Sequence, residues 1–162
     1  MDVKQYEVLA ILGKDATIVP YRRELAALAG STNSGILLGQ ILYWADKMNG
    51  KPFFKYKEPP MIRDGETEKE FLKRVHPYKP GDSWVEELYL SRKEFDSALY
   101  RIAHNKNMEP KRIAREEELY EKQKTKKLTI AETKELEMIE KEKRLYPLKP
   151  YIHYWTTRER IT

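Results

Sequence analysis

The chain has 162 residues, 35% of them charged, with 31 Lys and Arg against 26 Asp and Glu and a formal net charge of +5. This length fits one domain, or one domain with a satellite; a 40% hydrophobic share allows a core, while a mean hydropathy of −0.78 places polar elements outside it. Cysteine is absent, which excludes disulfides, thiolate metal centres, iron–sulfur clusters and cysteine nucleophiles.

Met1-Asp2-Val3-Lys4-Gln5 has no basic stretch leading into an apolar one, so no signal peptide is expected. The longest apolar stretch, Ile36 to Ala45, is too short to span a bilayer. A cytoplasmic protein without membrane contact is the expectation. Val3, Tyr6, Leu9 and Ala10 recur at helical spacing and predict a short helix over Val3–Leu12, ended by Gly13. Thr17-Ile18-Val19-Pro20 reads as extended, because a residue before proline is pushed out of the helical region. Tyr21–Ala29 predicts a second short helix with Leu25, Leu28 and Ala29 inward and Gly30 as its C-cap. Ser31-Thr32-Asn33-Ser34 supplies N-caps for the next helix, Ser34–Lys47. Its Ile36, Leu37, Ile41, Leu42 and Trp44 cover most of the circumference and predict the central buried helix. Asn49-Gly50 ends it, and Pro52–Tyr56 predicts a short strand.

Prolines and glycines punctuate residues 57–82, which read as a long surface excursion holding one charged helix over Thr67–Val75. Trp84–Tyr89 predicts a short helix. Ser91-Arg92-Lys93-Glu94 has the form of a capping box opening a helix from Arg92 to about His104. Phe95, Ala98, Leu99 and Ile102 repeat at i, i+3, i+4 and i+7 and mark its buried face. Lys111–Lys127 and Leu128–Arg144, the latter with a capping box at Thr129-Ile130-Ala131-Glu132, predict a charged helical hairpin within 108–146. Ile113, Leu119 and Tyr120 would face Leu128, Ile130, Leu136 and Ile139 across its seam. Pro150–Thr157 is aromatic and β-branched and predicts a strand; Arg158-Glu159-Arg160 predicts a turn, and Ile161-Thr162 the start of a return strand.

Two helices joined by a tight turn, the second serine-capped, followed by an aromatic β-hairpin, have the pattern of a winged helix-turn-helix. The expected fold is mainly α with a small β-hairpin wing over 151–162. Residues 1–105 and 148–162 would form the winged-helix domain, and 108–146 an inserted helical hairpin. Burying Phe95, Ala98, Leu99 and Ile102 turns Arg92, Lys93, Asp96, Ser97, Tyr100 and Arg101 outward. A helix fits the DNA major groove, its N-terminal residues reach base edges, and its positive dipole end favours phosphate. Arg92 and Lys93 suit guanine or phosphate; Ser97 and Tyr100 can donate to either. Asp96 and Glu94 on the same face oppose phosphate.

Other chemistry finds little support. His76, His104 and His153 form no H-x-x-x-H or H-x-H pair, so no metal site is expected. His104 reads as a cationic cap on the dipole of the helix it ends, and His153 as a packing or surface residue. Ser31–Gly35 precedes a helix but lacks Gly-x-x-x-x-Gly-Lys, which makes capping its role. Eleven tyrosines are present, but a nicking tyrosine needs a histidine-bound metal beside it. Glu86-Glu87 reads as helix surface, since neighbouring positions do not converge. Trp44, Trp84 and Trp155 read as core. Neither cofactor nor catalytic residue is expected.

Ile18-Val19-Pro20-Tyr21-Arg22-Arg23-Glu24-Leu25, then Gly30-Ser31, then Ile36-Leu37-Leu38-Gly39-Gln40-Ile41-Leu42-Tyr43-Trp44 resemble the start of winged-helix DNA-binding proteins of bacteriophages and mobile elements. The aromatic stretch Phe53-Phe54-Lys55-Tyr56, the helix at Trp84-Val85-Glu86-Glu87, Leu90-Ser91-Arg92-Lys93-Glu94-Phe95 and Tyr154-Trp155-Thr156-Thr157 extend the resemblance. It covers about residues 17–56, 83–104 and 150–162, and implies a replication-initiator-like or regulatory protein. DNA contacts would then fall on Arg92, Lys93, Ser97, Tyr100 and Arg101, with Arg158 and Arg160 in the wing. The 57–82 excursion and the hairpin between recognition helix and wing depart from that pattern. Two functions stay open: binding of double-stranded DNA, and a protein-interaction or assembly module in which 111–144 pairs with a second copy or a partner.

Overall fold

In the computed structural model, residues 18–75, 77–157 and 160–161 are described. The helix expected over Val3–Leu12, together with His76 and Arg158, lies outside them. α1 (Arg23–Ala29) starts two residues later than expected, because Arg22 is still extended at φ −125° and ψ 116°. Gly30, at φ +82°, ends it and donates its N–H to the Ala26 carbonyl. α2 (Thr32–Lys47) starts two residues earlier than expected. Its cap is Ser31, whose hydroxyl accepts the Ser34 N–H at 3.1 Å. The turn at Gly30 bends the pair by 108°, so the two helices cross instead of running on.

Leu25 and Ala29 pack inward as expected, whereas Leu28 is exposed. On α2, Leu37 and Leu38 are buried but Leu42 and Tyr43 are about half exposed, at 51% and 46%. The central helix thus keeps one open side. Asn49 and Gly50, both at positive φ, stop it. The strand expected at Pro52–Tyr56 shrinks to one bridging residue, Lys55. The chain beyond it is used differently: the Tyr56 and Lys57 carbonyls accept the N–H groups of Trp84 and Val85 at 2.8 and 3.1 Å. The excursion is locally tied as well. α3 (Glu68–Arg74) carries a capping box from Thr67, and Arg74 holds both Glu66, at 2.6 Å, and the Met61 carbonyl, at 3.0 Å.

α4 (Trp84–Leu88) and α5 (Arg92–Ile102) each open on a serine capping box, from Ser83 and Ser91. Tyr89, left-handed at φ +52°, makes the turn between them. α5 stops at Ile102, with Ala103 extended as its C-cap, so His104 is outside the helix it was expected to cap. β1 (His104–Asn105) follows, then α6 (Glu109–Lys124) and α7 (Ile130–Leu145). The strand expected over Pro150–Thr157 is broken. A 3-10 turn occupies Lys149–Tyr151, β2 (His153–Tyr154) runs parallel to β1, and β3 (Thr156–Thr157) pairs antiparallel with β4 (Arg160–Ile161). The chain changes partners at Trp155. Asn107 bridges the change, donating from its side-chain amide to the Thr156 carbonyl at 2.9 Å and accepting the Thr156 N–H at 3.2 Å.

The architecture is mainly helical, with two two-stranded sheets among the described residues. Phe95, Ala98, Leu99 and Ile102 are all buried, with Leu37, Leu38, Trp84 and Leu88 around them. Full burial of a Phe, Leu or Ile side chain contributes roughly 1.5–3 kcal/mol, so α5 is the anchor of this core. Leu148, Ile152 and Tyr154, beyond the hairpin, pack on the same cluster. Trp155, expected in the core, is 43% exposed. The hairpin seam is thinner than expected: Leu119 and Leu136 are buried, but Ile113 and Ile130 are 42% and 80% exposed. Ion pairs flank the seam instead, Arg115 to Glu135 at 2.7 Å and Lys143 to Glu116 at 2.7 Å. No single helix among the described residues is long and apolar enough to cross a membrane.

Candidate nucleic-acid interface

α5 is set by its two ends. At the start, the Ser91 hydroxyl accepts the Glu94 N–H at 3.2 Å and the Glu94 carboxylate accepts the Ser91 N–H at 2.8 Å. Those bonds hold the Glu94 carboxyl below its ordinary value, so Glu94 is committed to the cap. Along the inner face, the buried Ser34 hydroxyl donates to the Ala98 carbonyl at 3.1 Å and accepts from the Ser31 hydroxyl at 2.8 Å. That relay fixes the first turn of α2 against the middle of α5.

The outward residues form two stripes of four-residue spacing. Lys93, Ser97 and Arg101 line a groove of about 360 Å³ whose far wall is Ser31 and Asn33 at the start of α2. Three expected contact residues are therefore brought together, beside two polar side chains that the sequence presented only as helix caps. Arg101 also leans on the hairpin, with its guanidinium 5.7 Å from the Tyr146 ring centre.

The second stripe is Arg92, Asp96 and Tyr100, and each has an intramolecular neighbour. The Lys57 ammonium pairs with Asp96 and lies 5.9 Å from the Phe95 ring centre. Asp96, the charge that opposed phosphate in the sequence, is thus offset by a lysine of the excursion. Arg92 stays largely exposed, 3.9 Å from Glu58. Tyr100 donates its hydroxyl to Glu142 of α7, packs edge-on to Tyr146, and carries the Lys149 ammonium 3.5 Å above its ring. Burial, reinforced by the bond to Glu142, pushes the Tyr100 hydroxyl up to about 12. Burial likewise pulls Lys149 below its ordinary value, although Glu142 3.9 Å away opposes this. Tyr100 is where the hairpin is moored to α5.

Arg160 falls in β4, opposite Thr157. His104 lies beyond the C-cap of α5, Ala103. Burial first, then the positive charges of Arg112 and Lys149 and its neighbour His153, lower its pKa below 6.5.

Two larger hollows flank α2, of about 410 and 620 Å³. The first is lined chiefly by core side chains such as Leu37, Phe95 and Leu99. The second reaches Glu87, which is 8% exposed and is not the helix-surface carboxylate expected. It pairs with Lys55, accepts from Gln40, and accepts the Trp44 indole N–H at 3.2 Å. Lys55 is sandwiched between Trp44 and Trp84, 4.7 and 5.1 Å from their ring centres. This cluster pins the 52–57 segment to α2 and α4. Among the described residues, no three His, Asp or Glu side chains converge as a metal site. No protein-family model matches the chain, and neither a curated protein nor a solved structure does.

Proposed function

We propose that this protein binds double-stranded DNA without catalysing a reaction on it, as a winged helix-turn-helix of the bacteriophage and mobile-element kind. The observation that carries the reading is the stripe Lys93–Ser97–Arg101 lining an open groove on α5, the capped helix that follows α4 across the Tyr89 turn. In this reading Lys93 and Arg101 contact phosphate or guanine, and Ser97, Ser31 and Asn33 supply hydroxyl and amide partners. Arg92 flanks them. Tyr100 contributes mainly by mooring the hairpin, and Arg158 and Arg160 in the wing are assigned to the neighbouring backbone. The pairing of Asp96 with Lys57 offsets one of the two acidic charges on this face, while Glu94, which also lines the groove, keeps its charge in the cap.

Anisotropy of a labelled random duplex, titrated at two salt concentrations, tests the reading. Binding should weaken as salt rises and weaken further with Arg92→Ala plus Lys93→Ala, the double change making the salt slope shallower by about 1.8. Absence of binding at low salt, or indifference to the double change, refutes it. A second reading, association through the hairpin, is favoured by Ile130, Met138 and Leu145, all more than half exposed on α7. Sedimentation equilibrium of the intact chain separates the two: a monomer at tens of micromolar excludes self-association.

A further inference from the structure

The hairpin carries eleven bases and nine acids over residues 111–145, but they are unevenly distributed. Along the stem Glu116, Glu118 and Glu135 are matched. Glu116 sits between Arg112 and Lys143, at 3.0 and 2.7 Å. Glu118 meets Arg115 at 2.9 Å and Lys122 at 2.7 Å, and Glu135 takes Arg115 from across the seam. The tip is different. Residues 122–129 read Lys-Gln-Lys-Thr-Lys-Lys-Leu-Thr, with four lysines and no acid.

Two of those lysines are held by glutamates of the hairpin's own helices. Lys122 is bound by Glu118 and Glu132, and Lys124 by Glu121 at 2.8 Å. Cations in a last helical turn are also expected on dipole grounds alone. Lys126 and Lys127 are not explained that way. They lie beyond α6, are exposed, and enter no ion pair among the described residues. Lys126 takes φ +54°, and the Lys127 N–H closes back on the Lys122 carbonyl at 2.8 Å. This turn sets both exposed residues in the link between α6 and α7, at the tip of the hairpin. The opposite end of the rod is moored at Tyr100 by Glu142 and Lys149, so the tip is carried at a fixed distance from α5. Sixteen residues of α6 amount to about 24 Å, or roughly seven base-pair steps of 3.4 Å.

We propose that the α6–α7 tip is a second contact to a nucleic-acid backbone, in which Lys126 and Lys127, flanked by Lys124, engage phosphates of the duplex that α5 reads, up to about seven base pairs away. This rests on the DNA-binding reading above. Unlike a base-reading contact, it is independent of sequence and requires a duplex long enough to reach both points.

The test uses the intact chain, its Lys126→Gln plus Lys127→Gln variant, and labelled random duplexes of about 6 base pairs, closed by a hairpin loop and too short to reach both points, and of about 30 base pairs. On the long duplex the variant should lose affinity on the order of tenfold near 0.1 M salt, with a salt slope shallower by about 1.8. On the short duplex variant and parent should bind alike. Both substituted side chains are exposed, so an unchanged melting temperature serves as the folding control. Equal behaviour of parent and variant on both lengths overturns the proposal while leaving the α5 reading intact. An equal loss on both lengths overturns it too, since the lysines would then add only diffuse charge. Failure of the parent to bind either duplex removes the DNA reading and this proposal with it. Loss of co-sedimentation with phosphatidylserine-containing vesicles, with DNA binding unmoved, would assign the tip to an anionic membrane surface instead.

Discussion

The groove between α2 and α5 depends on where the first turn of α2 sits, and Gly35 sets that position. A Cβ built at Gly35 would lie 2.4 Å from the Ala26 Cα and 2.6 Å from its nitrogen. Carbon atoms in contact prefer about 3.5–4.0 Å, so Gly35→Ala would drive α1 and α2 apart by about 1 Å. The obstacle is helix backbone, which cannot rotate aside as a side chain can. Overpacking of this kind costs typically 1–3 kcal/mol, and rigid backbone places it near the upper end, about 3 kcal/mol. Against that, alanine is favoured over glycine in a helix by about 1 kcal/mol. The expected net loss is about 2 kcal/mol.

Gly39 is the internal control, one turn along the same helix. A Cβ there would lie 3.3 Å from Leu25 Cδ1 alone, the mobile end of a side chain. Gly39→Ala carries the same propensity gain with little steric penalty, so its effect on stability should be neutral to stabilising by up to about 1 kcal/mol. Urea unfolding followed by tryptophan fluorescence measures both. With a slope of about 2 kcal/mol per molar, the Gly35→Ala midpoint should fall by about 1 M and the Gly39→Ala midpoint should hold or rise. Equal midpoints for the two variants, or a parent-like Gly35→Ala, would refute the close crossing of α1 and α2. If the groove binds DNA as proposed, Gly35→Ala should also weaken that binding at temperatures where it is still folded, since Ser31 and Asn33 ride on the first turn of α2.

Two further outcomes follow from the turn at Tyr89 and the packing of His104. Tyr89 is left-handed at φ +52° and 95% exposed, so Tyr89→Gly relieves an unfavourable backbone with little side-chain contact at stake; a gain of about 0.5–1 kcal/mol is expected, seen as a melting temperature higher by about 1–4 °C, and a loss would contradict it. His104 takes up its proton less readily folded than unfolded, so the unfolded chain binds more protons once pH drops below 6.5 and stability falls with pH there. Melting temperatures between pH 7.5 and 5 should therefore decline, and His104→Asn should flatten that decline; an undiminished slope in the variant refutes the assignment. Glu66 and Glu132, held down to about 2 by Arg74 and by Lys122 respectively, lose their contribution only as pH falls below the ordinary carboxylate range, outside this window.

α5 was the most legible element because its signals are local. The capping box at Ser91 and the spacing of Phe95, Ala98, Leu99 and Ile102 lie within twelve residues, and all of them take their expected places. What the outward residues of α5 do could not be read from the same stretch. Asp96 is answered by Lys57, thirty-nine positions earlier, and Tyr100 by Glu142, forty-two later. Glu87 looked like half of a surface pair because its partners, Lys55, Gln40 and Trp44, come from two other elements. The aromatic run 150–157 had the composition of one strand, but composition cannot signal that β2 and β3 take different partners. In the hairpin, periodic apolar positions overstated the seam: Ile113 and Ile130 match the helical spacing yet stay exposed, as a two-helix layer cannot cover every position of both apolar stripes.

Net charge and local charge make different predictions for the same binding curve. The formal +5 is small, and much of the gross charge is consumed in pairs such as Lys57–Asp96, Lys55–Glu87 and Arg115–Glu135. Cations that neither pair nor lie buried can displace counterions from DNA, because only they form new phosphate contacts. At α5 these are Lys93 and Arg101, with Arg92 reduced by Glu58 at 3.9 Å; at the hairpin tip they are Lys126 and Lys127. Five contacts bound the salt slope at about −4.5, since each contributes about −0.9. A steeper slope requires phosphate contacts beyond these five. A slope near −2.7 confines binding to α5 and leaves the tip without a part in it. The measured slope therefore counts the contacts that the overall charge conceals.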